Sequence, residues 1–319
     1  MQTADSLHRF RHRLRLPLIS APMFLVSGIE LVTAACASGV IGAFPTVNCR
    51  SADELDAWLT EIETRLRDVR AAPLCPNLIV HRSNARLSDD LKVLLKHECE
   101  LVITSVGSPA PVIKPLHDTG ALVLADVASL RHAERALEAG ADGLVLLSAG
   151  AGGQTGWLNP FAFVRAVRAF FKGPVVLAGG IADGHALRAA QVLGCDLAYM
   201  GTKFIATHES LADPRYKAML VQSSADDILL TTAFTGLQTN MLRPSIVAAG
   251  LDPDELPACG AIEIGNDIDI GAREARPKRW RDIWSAGHST SGVTDVPSVE
   301  ELIARTIDEY RASDVQRAT

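Results

Sequence analysis

No stretch of the chain approaches the roughly 18 uninterrupted apolar residues that a membrane span needs, so no membrane partner is expected. The start also lacks the apolar core of a signal peptide. Arg9, Arg11, Arg13 and Arg15 interrupt it. Positive charge is not in excess. The formal net charge is −6, which argues against nucleic acid as a partner. The one basic run, Arg9 to Arg15 with His12, reads as a solvated first helix or tail. The six cysteines, Cys36, Cys49, Cys75, Cys99, Cys195 and Cys259, are scattered without a C-x-x-C pair. Free, mostly buried thiols in a cytoplasmic protein are the expectation.

Several cofactor and nucleophile motifs are missing too. Gly150 and Gly152 begin a G-x-G-x-x-G pattern, but Thr155 stands where the third glycine belongs. No acidic residue follows about 20 positions on to hold a ribose. There is no phosphate loop of the G-x-x-x-x-G-K-[ST] kind. Gly287-His288-Ser289-Thr290-Ser291 lacks the last glycine of a nucleophile elbow. There is no H-E-x-x-H, and the histidines show no metal-ligand spacing. No metal is expected, and His132 and His185 read as surface residues.

What the chain does have is alternation. Short apolar runs recur at Leu18–Ala21, Val40–Ala43, Leu74–Leu78, Leu101–Thr104, Leu122–Asp126, Gly143–Leu147, Pro174–Ala178 and Leu197–Gly201. Helix-like stretches follow them, such as Asp53–Val69, Leu87–His97, Leu130–Ala139, Phe161–Phe171 and Gly184–Leu193. Continuous apolar runs suit parallel strands covered on both faces. Gly39, Gly120, Gly140 and Gly194 each stand where a helix would end in a left-handed residue. Eight such units favour an α/β fold of the closed (β/α)8, or TIM-barrel, kind; an open sheet stays an alternative, because periodicity does not report closure. The predicted division is a barrel over residues 1–222, a lid over 223–292 and a C-terminal helix within 293–319. The lid is expected to be mainly helical. It carries Pro244, Pro253, Pro257 and Pro277 with Asp267 and Asp269. Val299–Tyr310 reads as the closing helix.

In a barrel the ligand site lies at the C-terminal strand ends. Those ends carry Pro22-Met23, Asn77, Thr104-Ser105, Asp126, the run from Ser148 to Gly156, Gly179-Gly180 and Gly201-Thr202. Glycine lets a phosphate approach the backbone closely, and barrels commonly place a phosphate after strands seven and eight. Gly179-Gly180 and Gly201-Thr202 are therefore candidate phosphate ligands. Each turn alone could equally be a plain strand-to-helix turn. Their occurrence on neighbouring strands favours the phosphate.

The segment from Ala178 to Gly184 and that from Tyr199 to Thr207 together closely resemble the nitronate monooxygenase family. Ala21-Pro22-Met23, Asn77, the Ala151–Gly156 loop and Ile283-Trp284-Ser285-Ala286-Gly287 extend the resemblance over nearly the whole chain, in order. The resemblance implies a barrel that binds FMN noncovalently. Pro22 and Met23 would line the flavin ring, and Asn77 its pyrimidine side. Ala178, Gly179, Gly180, Gly201 and Thr202 would hold the phosphate. Trp284, Ala286 and Gly287 would approach from the lid. Thr104, Asp126, Ala151, Gly152 and Gly153 complete the expected cofactor-binding set.

Two positions depart from the family pattern. Gln154 stands where nitronate-oxidising members carry histidine, and Asp126 stands where some members carry lysine. A neutral amide orients by hydrogen bonds but cannot take a proton near pH 7. Gln154 and Asp126 are the catalytic candidates. Leu237, Met241 and Leu242 are candidates for an apolar substrate channel, with Arg243 for an anionic group.

The expected activity is FMN-dependent oxidation or reduction of a small or medium organic molecule. Nitronate oxidation by dioxygen is one form. NAD(P)H-dependent reduction of a quinone or enone, or dehydrogenation of a CoA thioester, is another. Two further readings are a flavin-free barrel isomerase or lyase acting on a phosphorylated substrate, and a flavin-binding barrel without catalysis. A homodimer is left open.

Overall fold

The computed structural model describes residues 7–256 and 282–315. Eight parallel strands close into a barrel: β1 Leu18–Ser20, β2 Ile41–Pro45, β3 Leu74–Ile79, β4 Leu101–Ser105, β5 Leu122–Val127, β6 Gly143–Leu147, β8 Val175–Ala178 and β9 Leu197–Met200. Closure comes from pairing β9 to β1, with Ile19 opposite Tyr199 and Ser20 opposite Met200. A two-residue strand, β7 (Gly153–Gln154), lies outside the barrel.

Successive residues of a strand point to opposite faces. Ile19, Ala43, Cys75, Ile103, Leu124, Val145, Val176, Leu197 and Tyr199 point inward and form one core. Leu18, Phe44, Val102, Val123, Leu144, Val175, Ala198 and Met200 point outward, beneath the helices. Both faces are buried, so the strands read as unbroken apolar runs. Five cysteines, Cys36, Cys49, Cys75, Cys99 and Cys195, are free and buried; Cys259 lies outside the described residues.

The helices begin and end where their caps dictate. Ser51, Ser129, Asn159 and Asp183 each accept a backbone N–H at a helix start. Gly39, Gly120, Gly140 and Gly194 all adopt positive φ just past a helix. His132 and His185 are exposed.

The basic run at the start is more than a solvated tail. Phe10 is fully buried in the inner core, and Arg9 reaches the carbonyls of Glu100 and Gly120. Arg13 pairs with the Glu100 carboxylate at 2.6 Å. An aromatic ring therefore stops the end of the barrel remote from the site, and the arginines hold it there.

After β9 the chain forms the helix Pro214–Gln222, then β10 (Ile228–Thr231), β11 (Thr239–Leu242) and the helix Arg243–Ala248. The two strands and β7 make an antiparallel sheet in the order β10-β11-β7. The described part of the expected helical lid thus contains strands as well as short helices. Pro257, Pro277, Asp267 and Asp269 lie outside the described residues. The chain returns at Ile283 and ends in the helix Val299–Val315.

That last helix packs against Gly184–Leu193, the helix that follows β8. The contact depends on Gly184. A Cβ there would lie 2.1 Å from the Tyr310 nitrogen and 2.4 Å from the Thr306 oxygen. Gly184→Ala is expected to lower stability by about 1–3 kcal/mol through overpacking. Urea unfolding at constant m-value checks this. An unchanged midpoint would show that the two helices separate freely.

Candidate active site

The C-terminal end of the barrel opens into a cavity of about 280 Å³. Residues at the ends of all eight barrel strands line it: Ala21, Pro45, Asn77, Ser105, Asp126, Leu147, Ala178 and Tyr199. The inward residues of the strands thus change from apolar in the core to polar at the mouth. The alternation that packs the core aims Asn77, Asp126 and Tyr199 into the cavity.

These three side chains have unmet hydrogen-bonding capacity. Asn77 Nδ2, Asp126 Oδ1 and the Tyr199 hydroxyl are buried with no partner in the protein. Asn77 Oδ1 does accept from the Ser105 hydroxyl, at 3.1 Å, which fixes the amide with its NH2 group unpaired. Burial lifts the Asp126 carboxyl to about 8. The Tyr199 phenol is pushed well above its ordinary value by burial first, then by Asp126 and Cys75.

One corner of the cavity is a glycine turn. Gly179 and Gly180 follow β8 with φ of 118° and 73°. A Cβ on Gly179 would meet the Ser148 hydroxyl at 2.5 Å, whereas one on Gly180 would meet nothing within 4 Å. Gly180 therefore borders open space in a backbone conformation that suits glycine. Gly201 and Thr202 stand beside it after β9. The Thr202 oxygen accepts the Gly287 N–H at 3.0 Å, so the hydroxyl proton stays free to donate. The helix Gly184–Leu193 does not offer its N-terminus here, because Asp183 already caps it.

The loop after β6 forms the opposite wall. Its Gly153 and Gln154 pair with Asn240 and Thr239 of β11. Asn240 Nδ2 donates to the Ala151 carbonyl at 2.7 Å. The glycines serve close approach to the returning chain. A Cβ on Gly152 would fall 2.7 Å from the Gly287 nitrogen, and one on Gly287 would fall 2.5 Å from the Gly150 oxygen. Trp284 stacks on Tyr216 at 4.9 Å and 8°, and both line the cavity.

Of the residues expected from the sequence, the cavity brings together Pro22, Met23, Asn77, Asp126, Ala151, Gly152, Gly153, Gln154, Ala178, Gly179, Gly180, Gly201, Thr202, Leu237, Trp284 and Ala286. Five lie elsewhere. Thr104 points out of the barrel and donates to the Leu124 carbonyl at 3.2 Å. Gly287 packs behind the wall on Gly150. Met241 and Leu242 are fully buried and anchor the β10-β11 sheet. Arg243 pairs with Asp254 at 3.0 Å, away from the cavity. The last three are corrections to the expected substrate channel. Tyr199, Ser105, Tyr216, Thr235, Thr239 and Ser289 line the cavity but were given no role from the sequence. For Tyr199 the signal was present: it lies two residues before Gly201 on the same strand face.

The fold and the cavity define a barrel enzyme whose reacting groups converge from the strand ends and from a covering segment. The chain belongs to the nitronate monooxygenase family, which matches residues 75–309. The family is flavin-dependent, and this chain is an oxidoreductase acting on a small organic substrate. A nitronate monooxygenase from Paraburkholderia phytofirmans is 27% identical, with 93% of each chain covered. A Mycobacterium tuberculosis protein named as an octahydroindene carboxyl-CoA dehydrogenase is 26% identical over 72% of this chain and 64% of its own length. The solved structure of a nitroalkane oxidase from Streptomyces ansochromogenes superposes with a TM-score of 0.82 at 22% identity, covering 98% of this chain and 99% of that one. That last likeness is one of fold.

The ion pair at Arg243 is exposed, and such pairs contribute about 0–1 kcal/mol. Arg243→Ala is expected to leave flavin content and KM unchanged and to lower the melting temperature slightly. A rise in KM for an anionic substrate would return Arg243 to the site.

Proposed function

We propose that this chain is an FMN-dependent oxidoreductase that reduces or dehydrogenates a small or medium organic molecule whose reacting part is uncharged and largely apolar. The observation that carries this reading is one open glycine turn joined to a cavity with no lysine, arginine or histidine among its described lining residues. The donor set fits FMN. An open left-handed turn suits one phosphate, Pro22, Met23 and Trp284 suit a flat ring, and unpaired polar atoms at the floor suit carbonyls and hydroxyls.

When bound, FMN supplies the electron transfer. The protein's part is placement. Gly179, Gly180, Gly201 and Thr202 take the phosphate. The Asn77 amide donates to a ring carbonyl. Thr235, Leu237, Trp284 and Ala286 border the cavity and would help to keep water out. Gln154 lies at the substrate side, where its amide can donate and accept but cannot remove a proton. Burial raises the Asp126 carboxyl, so most of it carries its proton at neutral pH. Abstraction of a proton from a nitroalkane therefore finds no histidine or lysine among the described lining residues. The relative named as a CoA-ester dehydrogenase supports dehydrogenation as the direction of chemistry. NAD(P)H is the proposed reductant when the reaction runs as a reduction.

One FMN per chain is expected to copurify, read by flavin absorbance and by chromatography of the released cofactor. Gly180→Asp is expected to yield a colourless protein with unchanged circular dichroism, because its carboxylate takes the phosphate's place. Stoichiometric FAD, or an active colourless protein, would overturn the assignment. Anaerobic bleaching by NADH or NADPH tests the reductant.

Oxygen uptake with 2-nitropropane is expected to be slow. Gln154→His is expected to raise it, within the roughly 10²–10⁴-fold range that a positioned base contributes. Propyl-2-nitronate is the control, since it is already deprotonated. Rapid turnover of 2-nitropropane by the unaltered protein would refute the account of Gln154.

A further inference from the structure

Asp126 and Tyr199 stand near the ends of β5 and β9 and face the same space. Tyr199 is 8% exposed, yet its hydroxyl has no partner, and neither has Asp126 Oδ1. A carboxylate with a buried oxygen normally collects donors or a cation there. Here the surroundings provide neither. The titratable groups that face Asp126 are Cys75 on β3 and Tyr199 on β9, and burial raises both well above their ordinary values, so both are neutral. Ser105 on β4 spends its hydroxyl proton on Asn77. No described lining residue is cationic.

We propose that Asp126 serves the site as a neutral carboxylic acid that, together with the Tyr199 hydroxyl, donates a hydrogen bond to the bound flavin and does not act as a base. This rests on the flavin reading above and assigns the two residues a role within it. A protonated carboxyl has one O–H to give, and so has a phenol. Two donors from opposite parts of the barrel wall then meet the electron-rich groups of the cofactor. Burial holds the Asp126 proton up to about pH 8. Above that pH the donor becomes a partly buried anion facing the flavin. Binding the flavin removes the remaining water around it, so the anion and the cofactor oppose one another. Affinity for the cofactor therefore falls as Asp126 ionises.

The test is the FMN dissociation constant of the holoenzyme by equilibrium dialysis at pH 7 and pH 9. For the unaltered protein the constant is expected to rise about tenfold, one pH unit past the ionisation. Asp126→Asn keeps a neutral donor in the same place. Its constant is expected to stay within about threefold of the unaltered protein's at pH 7 and to lose the rise at pH 9. Tyr199→Phe is expected to weaken binding about 2–13-fold at pH 7, the range for one hydrogen bond. Melting curves establish that each variant is folded.

A constant that stays flat in the unaltered protein, or rises equally in Asp126→Asn, would overturn the proposal. So would Tyr199→Phe binding FMN as tightly as the parent. If no flavin binds at any pH, the flavin reading fails on its own account. The state of Asp126 is then read from its side-chain carboxyl carbon by NMR titration. A midpoint above pH 7 sustains the neutral acid, and one below pH 7 removes it.

Discussion

A side chain on a barrel strand can point only inward or outward, and this constraint organises the molecule. Position 126 of β5 shares its face with Leu124, and position 199 of β9 shares its face with Leu197, both in the inner core. The same two-residue step that buries leucine one layer down delivers a carboxyl and a phenol to the cavity. Thr104 shows the opposite case. It neighbours Ile103 and Ser105, which face in, so it faces out and bonds to a backbone carbonyl. Chemistry at the mouth and packing in the core are therefore one pattern read at different heights.

Closure of the site depends on backbone approach. The loop after β6 and the returning chain at 286–288 touch so closely that Gly150, Gly152 and Gly287 have no room for side chains. Around that contact, Asn240 bonds Ala151, Gly287 bonds Thr202, and Trp284 is held by Ser245 and Leu242. The first two ties join the covering segment to the ends of β6 and β9 that line the cavity, and the third fixes Trp284 within the covering segment. The lid and the glycine turn are consequently coupled. Displacing the returning chain withdraws the N–H that orients the Thr202 hydroxyl.

Much of this was legible in the sequence. Eight apolar runs located the strands to within a residue or two, because helices cover them and the apolar signal is unbroken. Gly39, Gly120, Gly140 and Gly194 marked helix ends. The glycines that follow strands, Gly179-Gly180 and Gly201, pointed to the site end of the barrel, because ligands bind at the C-terminal strand ends. The lid was less legible. β10 and β11 hold only four residues each, and their partner β7 holds two, so the pairing is set by tertiary contact rather than by local pattern. Met241 and Leu242 misled for the same reason: an apolar residue anchoring a lid looks like one lining a channel. Arg243 misled because its partner, Asp254, is eleven residues away in a segment without regular structure. Phe10 was hidden among arginines, where charge dominates the local pattern.

The polar floor has a cost for the fold that helps to explain its use. An unpaired buried polar atom costs about 1–3 kcal/mol, and the floor holds such atoms on Asn77, Asp126 and Tyr199. Asp126 adds a pH dependence. Its folded carboxyl keeps its proton to about 8, whereas the unfolded chain releases it near about 4. Between those values the folded state binds the extra proton, so this residue's contribution to stability falls as pH rises. A core leucine at position 126 would remove both penalties. A ligand that binds only the folded state and pairs with these atoms offsets them by mass action. Stability and occupancy of the cavity are then linked through the same side chains: the groups that weaken the empty barrel are those that recognise what fills it.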